Sequence, residues 1–262
     1  MFLQHFRGGF DHWDPAVTDG LAQDRRVILF NNAGVASSSG EPADTVAGMA
    51  QHVVSFLKAL RLKHVDLLGF SLGGFVAQEL LLASPALIRR VILAGTGPQG
   101  GDITVGHDPT VSEHATRDEV TLDDFLFLFF SPSERSQAAG RAFWNRRHAR
   151  RDQDVPSDRA AMAAQGNAIA AWSVPKDNRD ESLQRITHPV LVVNGRNDIM
   201  VPTINSFILE QNIPNATLIL YPDSGHGAIF QYPDLFVAHA RLFLDEADRG
   251  GPGCRGDEDI DE

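Results

Sequence analysis

The segment GFSLG, residues 69–73, holds a serine two positions away from glycine on either side. The residues before it have the apolar composition of a buried strand, and those after it, LGGFVAQELL, have apolar side chains at helical spacing. A sharp strand-to-helix turn crowds the positions two residues either side of its apex, which favours glycine there. Such a turn would hold the Ser71 hydroxyl above the carboxyl end of the strand as a nucleophile. A glycine-rich loop that only tightens strand-to-helix packing is the alternative.

A serine hydroxyl needs a base to remove its proton, and the base needs a third group to fix its tautomer. Asp198 follows the strand-like run PVLVVNG (189–195), and His226, between two glycines, follows ATLILY (216–221). Ligands of open parallel sheets bind at the carboxyl ends of the strands, and the order Ser, Asp, His is typical of this serine turn. We therefore predict that Ser71 is the nucleophile, His226 the base and Asp198 its orienting acid. Asp198 as a turn or helix N-cap residue is the alternative.

Two further groups belong to the same expected site. Leu72 is expected to be the first residue of the helix after the serine. Its backbone N–H is therefore a candidate donor to the oxyanion. Asp223 is a second acid near His226, but it lies only three positions before His226 in the same loop. We interpret Asp223 as a residue that shapes this turn.

Short apolar runs alternate with helical patterns along most of the chain, at residues 1–5, 26–31, 64–70, 89–95, 189–195 and 216–221. This alternation predicts an α/β fold, with a mostly parallel sheet and helices on both faces. Residues 98–187 lack a clear buried strand, which predicts an inserted helical cap. The core is then residues 1–97 and 188–247. Residues 248–262, rich in acids and glycine, are expected to be a disordered acidic tail.

Composition limits the kinds of partner that the protein can bind and the cellular compartment in which we expect it. The chain has 262 residues, 43% of them hydrophobic, so it can bury a large core. Its formal net charge of −11 opposes binding to nucleic acid. No long apolar run or leader pattern indicates a membrane or export, so we expect a cytoplasmic protein. Cys254 is the single cysteine, and no Cys or His spacing matches a metal site, so we expect neither disulfide nor metal.

The expected cap carries two groups of residues that could contact a substrate. Its phenylalanines (Phe125, Phe127, Phe129 and Phe130) cannot all lie on one helix face; they could form the core of the cap, or one or two could line an acyl pocket. Its arginine cluster (Arg141, Arg146, Arg147, Arg150 and Arg151) is more typical of a solvated helix face than of an anion site.

Taken together, the motifs resemble the α/β-hydrolase superfamily, in the branch of small cap-bearing esterases that includes perhydrolase-type haloperoxidases and enol-lactonases. The resemblance covers about residues 1–245. It rests on the serine turn at 69–73, NGRND at 194–198, SGHG at 224–227, and the helix-like segment GEPADTVAGMAQHVVSFLKAL at 40–60.

The resemblance implies a second oxyanion donor near the start of the chain. Where relatives commonly have His-Gly at the end of an early strand, this chain has His5-Phe6-Arg7-Gly8. The second N–H is then that of Phe6 or of Arg7, with Phe6 preferred. Relatives also have two further strands ahead of this one. Their absence here would leave the run RVILFN (26–31) as a sheet edge with unpaired backbone groups.

The expected function is a cofactor-free serine hydrolase that cleaves small carboxylic esters or lactones through an acyl-enzyme. A perhydrolase or a carbon–carbon bond hydrolase using the same triad is one alternative. A non-catalytic protein that binds a small ligand is another. The physiological substrate and the oligomeric state are left open by the sequence.

Overall fold

The computed structural model describes residues 1–104 and 107–246, so the predicted tail with Cys254 lies outside the described residues. Its centre is a five-stranded parallel sheet in the order β1-β2-β3-β4-β5. The strands are β1 (Phe2–Leu3), β2 (Val65–Phe70), β3 (Ile88–Ala94), β4 (Val190–Gly195) and β5 (Ala216–Tyr221). The predicted α/β class is confirmed.

Helices precede, interrupt and follow this sheet. The first three are α1 (Pro15–Ala22), α2 (Val46–Ala59) and α3 (Leu72–Ala83). Between β3 and β4 lie α4 (Pro109–Thr116), α5 (Leu122–Phe129), α6 (Glu134–Arg147), α7 (Arg159–Ser173) and α8 (Arg179–Gln184). The last three are α9 (Ile204–Asn212), α10 (Ala228–Gln231) and α11 (Pro233–Asp245). No helix in the described part of the chain is both long and apolar enough to span a bilayer.

Successive residues of the central strands enter two different cores, as a sheet covered on both faces requires. Leu67, Val91 and Val190 pack in the core that contains α2 and α3. Their neighbours in sequence, such as Leu68, pack in the core that contains α1 and α11. Both faces are therefore apolar, which explains why these strands read as continuous hydrophobic runs.

The predicted strands at the start of the chain are wrong in extent. Only Phe2 and Leu3 of the run 1–5 form a strand, because the Gln4 side chain bonds the His5 N–H (2.9 Å) and the Gly9 carbonyl (3.1 Å) and the backbone leaves the ladder. The run 26–31 forms one isolated bridge, Leu29 to Phe2, with Phe2 N–H donating to the Ile28 carbonyl at 2.9 Å. An apolar run becomes a strand only where a partner continues the ladder, and β1 is too short to do so.

Helices α4 to α8 lie between β3 and β4, and we call this stretch the inserted segment; it is tied to the rest of the fold. The Arg146 guanidinium donates to both carboxylate oxygens of Asp14, whose side chain is fully buried at the N-terminus of α1. Ser136 Oγ donates to Gln231 Oε1 at 2.6 Å. These bonds fix α6 against α1 and α10.

Candidate active site

Ser71 lies between β2 and α3 in a strained backbone conformation, with φ of +56° and ψ of −119°. A Cβ at Gly69 would lie 2.5 Å from the Gly73 carbonyl oxygen, and one at Gly73 would lie 2.0 Å from that of Leu3. The crowding that favoured glycine in the sequence is thus present. The Ser71 carbonyl accepts from Gly74 N–H and from Thr96 Oγ1, each at 2.8 Å. These bonds hold the serine in a conformation that costs about 1–3 kcal/mol elsewhere.

His226 and Asp198 form a buried pair beyond the ends of β5 and β4. The two side chains are 0% exposed, and His226 Nδ1 lies 2.8 Å from Asp198 Oδ2. The other oxygen, Oδ1, accepts from the backbone N–H groups of Met200 (2.8 Å) and Val201 (3.0 Å). Because the carboxylate only accepts, the proton of the neutral imidazole is on Nδ1 and Nε2 presents a lone pair.

His226 lines the same cavity as Ser71. His226 Nε2 is buried and has no hydrogen-bond partner among the described residues, so Ser71 Oγ does not donate to it in this structure. Phe70 (4.9 Å between ring centroids) and Phe129 (5.3 Å) pack against the imidazole. An apolar surround of this kind keeps competing hydrogen-bond partners away from Nε2.

The cavity has a volume of about 300 Å³ and lies between the sheet ends and the inserted segment. Its walls include His5, Phe6, His12, Ser71 and His226 from the core, and His114, Phe125, Phe129 and Arg147 from the inserted segment. A small organic molecule fits such a volume.

The two candidate donors near the start of the chain are now distinguishable. The Arg7 N–H donates to Gln165 Oε1 at 2.6 Å, so it is already used. The Phe6 N–H has no hydrogen-bond acceptor within residues 1–104 and 107–246. Leu72 is the first residue of α3, where a backbone N–H has no acceptor within its own helix. Phe6 and Leu72 therefore both offer a free N–H.

His5 supports the turn that presents Phe6. Burial lowers the pKa of His5 to about 3, so its ring is neutral at pH 7. Its Nδ1 lies 2.8 Å from the Phe6 carbonyl and must carry the proton to make that bond. The side chain thereby fixes the peptide that follows Phe6.

Asp223 does not contact His226 through a hydrogen bond. Its carboxylate accepts from Ser133 Oγ at 2.7 Å, its carbonyl accepts from Gln231 Nε2 at 2.7 Å, and its φ is +47°. These bonds shape the loop that carries His226. The structure places Asp198, not Asp223, against the imidazole.

Sequence reasoning did not identify Gln165, which contacts the turn that carries Phe6 and Arg7. Nothing near Gln165 in the sequence indicates that it accepts the Arg7 N–H, because the two residues are 158 positions apart in the chain.

The site offers no arrangement for a metal ion: the described residues contain no group of three or more His, Cys, Asp or Glu that could hold one.

Comparison with known proteins identifies a hydrolase family and relatives that are hydrolases. Residues 5–233 match the family model described as alpha/beta hydrolase fold. A pimeloyl-[acyl-carrier protein] methyl ester esterase from Nitrosomonas europaea is 32% identical over 234 residues, which is 86% of this chain and 87% of the relative. A 2-hydroxymuconate semialdehyde hydrolase from a Pseudomonas species is 27% identical over 239 residues, 87% of this chain and 79% of the relative.

A solved structure also resembles the whole described fold. An alpha/beta hydrolase fold protein from Chitinophaga pinensis has a TM-score of 0.88 and 40% sequence identity. The alignment covers 94% of this chain and 88% of that one.

Proposed function

Because the chain belongs to the alpha/beta-hydrolase fold family, we propose that it is a serine hydrolase that cleaves carboxylic esters or lactones through an acyl-enzyme. One observation carries the proposal: a serine on a strained strand-to-helix turn lines the same cavity as an aspartate-paired histidine whose Nε2 has no hydrogen-bond partner. This arrangement suits acyl transfer.

In the proposed mechanism, Ser71 Oγ attacks the carbonyl carbon of the bound ester while His226 Nε2 takes the hydroxyl proton. Asp198 holds the proton of His226 on Nδ1 and stabilises the imidazolium that forms. The hydrogen bond from Ser71 to Nε2 must form when substrate binds, as catalytic hydrogen bonds in empty sites are often long. The imidazolium then donates its proton to the leaving alkoxide.

The second half of the reaction reverses these roles. A water molecule attacks the acyl-enzyme carbonyl and gives a proton to His226 Nε2, and the imidazolium returns a proton to Ser71 Oγ as the acid leaves. In both halves the carbonyl oxygen becomes an oxyanion. The N–H groups of Leu72 and Phe6 are the proposed donors to it, which is supported by their freedom from other acceptors.

We also propose that the inserted segment acts as a cap. Support comes from the cavity wall, to which α5 and α6 contribute Phe125, Phe129 and Arg147. A cap of this kind excludes water and sets the shape of the acyl or alcohol group accepted.

Labelling with a fluorophosphonate, followed by peptide mapping, tests the proposal. The expected result is a single phosphonylated residue, Ser71, and loss of labelling in His226→Ala. An unlabelled, folded protein would contradict the serine-hydrolase mechanism and favour a non-catalytic ligand-binding role.

A panel of substrates then separates ester hydrolysis from the other reactions available to this triad. We expect turnover of short-chain aryl esters and lactones in the absence of peroxide. Turnover that requires peroxide with a carboxylate would indicate a perhydrolase instead. Cleavage of a vinylogous diketone with no esterase activity would indicate a carbon–carbon bond hydrolase.

A further inference from the structure

Arg147, the last residue of α6, lines the cavity that contains Ser71. Its guanidinium carbon lies 4.6 Å from the centroid of the Phe125 ring and 5.1 Å from that of Trp144. Its terminal nitrogen Nη1 is buried and has no hydrogen-bond partner. Within the part of the chain that the structure describes, no carboxylate or carbonyl accepts a hydrogen bond from this side chain.

The neighbouring arginines of the cluster differ from Arg147 in this respect. Arg146 donates to Asp14, and Arg150 donates to Asp11 and Asp152. Asp11 is the acid whose charge acts on Arg147, yet its oxygens are taken by Arg150 (2.9 Å) and by the Asp154 N–H (2.6 Å). Arg147 is thus the cluster member that lines the cavity and has no hydrogen-bonded acid, so the cluster as a whole is not a solvated face.

The charge on Arg147 persists at neutral pH. Burial lowers the pKa of its guanidinium to about 10, still well above 7. A buried cation without a counter-charge is costly, and an anion that entered the cavity would supply the missing acceptor.

His12 adds a second donor beside the same aromatic ring. Its Nδ1 accepts the Gly9 N–H at 2.9 Å, so the proton of the neutral ring is on Nε2. The ring lies parallel to Phe125, with 6.5 Å between centroids, and burial together with the charge of Arg147 lowers the pKa of His12 well below its usual value. His12 remains neutral and can donate from Nε2.

Acidic residues also border the cavity, but at its exposed rim. Asp118 pairs with Arg159 at 2.5 Å, and its backbone carbonyl accepts from Arg7. Glu119 is exposed to solvent. These carboxylates do not neutralise Arg147 by a direct bond.

We infer that Arg147 is a specificity-determining residue that binds a carboxylate of the substrate, so that the preferred substrate is an ester or lactone carrying a free carboxylate. This inference rests on the proposed serine-hydrolase function. A carboxylate matches one unpaired guanidinium in charge and in its two-oxygen geometry. A phosphate dianion would leave an excess negative charge in the cavity.

The test compares matched aryl esters whose acyl chain ends in a carboxylate, in its methyl ester, or in a phosphate, with a second set that carries these groups on the alcohol side. For the native protein we expect kcat/KM for the carboxylate member of at least one set to exceed that of its methyl ester about tenfold or more. Arg147→Met should lower kcat/KM for that carboxylate ester about 10- to 100-fold, the scale of a charge-assisted pair, and change the methyl ester less than about threefold.

Arg141→Met is the matched control, since Arg141 lies on the same helix, is exposed, and carries the same charge. Equal losses in the two variants, equal losses on charged and neutral esters in Arg147→Met, or a preference for phosphate would each overturn the inference.

A binding measurement separates this inference from the proposed chemistry. Ser71→Ala should bind the carboxylate ester more tightly than Ser71→Ala/Arg147→Met does, by isothermal titration calorimetry. Arg147-dependent binding without turnover in the native protein would contradict the hydrolase proposal and keep the carboxylate site. Binding that is independent of Arg147 would overturn the carboxylate site whatever the activity.

Discussion

Ser71, Asp198 and His226 act on one proton-transfer path in the proposed mechanism, so the effects of their removal should not add. We expect Ser71→Ala and His226→Ala each to lower kcat on a short-chain aryl ester by roughly four to six orders of magnitude. Asp198→Asn should cost roughly two to four orders, because the imidazole stays but its favoured tautomer changes.

The double variant Ser71→Ala/His226→Ala tests the coupling. Its kcat should nearly equal that of either single variant, since each already prevents the same attack. Circular dichroism of every variant controls for folding. A folded Ser71→Ala with near-native activity would rule out the serine mechanism.

His5 makes folding stability depend on pH in the acid range. Burial lowers its pKa from the ordinary value of 6.5 to about 3 in the folded protein. Between these values the unfolded chain binds one more proton than the folded one, so the free energy of unfolding falls as pH falls, by about 1.4 kcal/mol per pH unit for this proton.

Urea unfolding at pH 7, 6, 5 and 4 measures the effect. His5→Asn, which can still donate to the Phe6 carbonyl, should reduce the slope of unfolding free energy against pH by up to one proton. The same substitution at the exposed His64 controls for loss of an imidazole as such. An unchanged slope in His5→Asn would mean that His5 does not stay neutral in the folded protein.

At the residue scale, the sequence could identify functional groups only where local signals exist. Ser71, Asp198 and His226 each follow a recognisable strand, and their glycines and order are visible in one dimension. The hydrogen bond that occupies the Arg7 N–H was not visible, because its acceptor, Gln165, lies far away in α7. Likewise, nothing in the spacing of the arginines distinguishes Arg147 from Arg146, whose Asp14 partner is 132 residues away.

The elements that form the serine turn depend on a close approach of α3 to β1. In Gly73→Ala the new Cβ would lie 2.0 Å from the Leu3 carbonyl oxygen, so β1 or α3 must move. We expect a loss of about 2 to 4 kcal/mol in the free energy of unfolding. Activity of the folded variant should also fall, because a shift of β1 would displace Phe6, whose N–H is a proposed oxyanion donor.

Gly166→Ala provides a matched control within α7. A Cβ there meets nothing within 4 Å, so the substitution should stabilise the protein by about 0.5–1 kcal/mol. Urea unfolding of both variants checks the pair. Equal effects would mean that the contact between α3 and β1 is not the source of the glycine requirement.

The strands β2, β3 and β4, which have partners on both sides, were predictable to within a residue or two. The edge strand β5, paired with β4 over its whole length, matched its predicted run at both ends. The early runs were not predictable, since strand formation there depends on a ladder partner rather than on composition. The prediction of helices between β3 and β4 rested on the lack of buried strands there, and α4 to α8 lie in that stretch. The attachment of this segment to the core could not be predicted, because Arg146 and Ser136 bond to residues that are distant in the sequence.

At the scale of the whole molecule, these bonds should make the inserted segment and the core unfold together. Trp144 reports on the segment and Trp13 on the core, where Trp13 packs against Phe70 and Phe230. In variants that retain one of these tryptophans, the others being replaced by Phe, the fluorescence and far-ultraviolet circular dichroism transitions in urea should coincide.

The comparison is made within each variant, so the cost of each Trp→Phe substitution does not matter. A Trp144 transition at clearly lower urea than the circular dichroism transition would show that the segment opens before the core.

One contact between the inserted segment and the core limits how this segment can be exchanged between related proteins. The carbonyl of Phe129, at the end of α5, accepts the N–H of Gly227 at 2.7 Å, and the Phe129 ring packs against His226. The segment that lines the cavity thus also holds the loop that carries His226, the proposed base. A chimera that exchanged this segment for that of a relative would change substrate preference and the placement of the imidazole at once. An exchange that keeps the enzyme active, in evolution or in the laboratory, must therefore conserve the contacts of Phe129 at the end of α5 with the His226 loop.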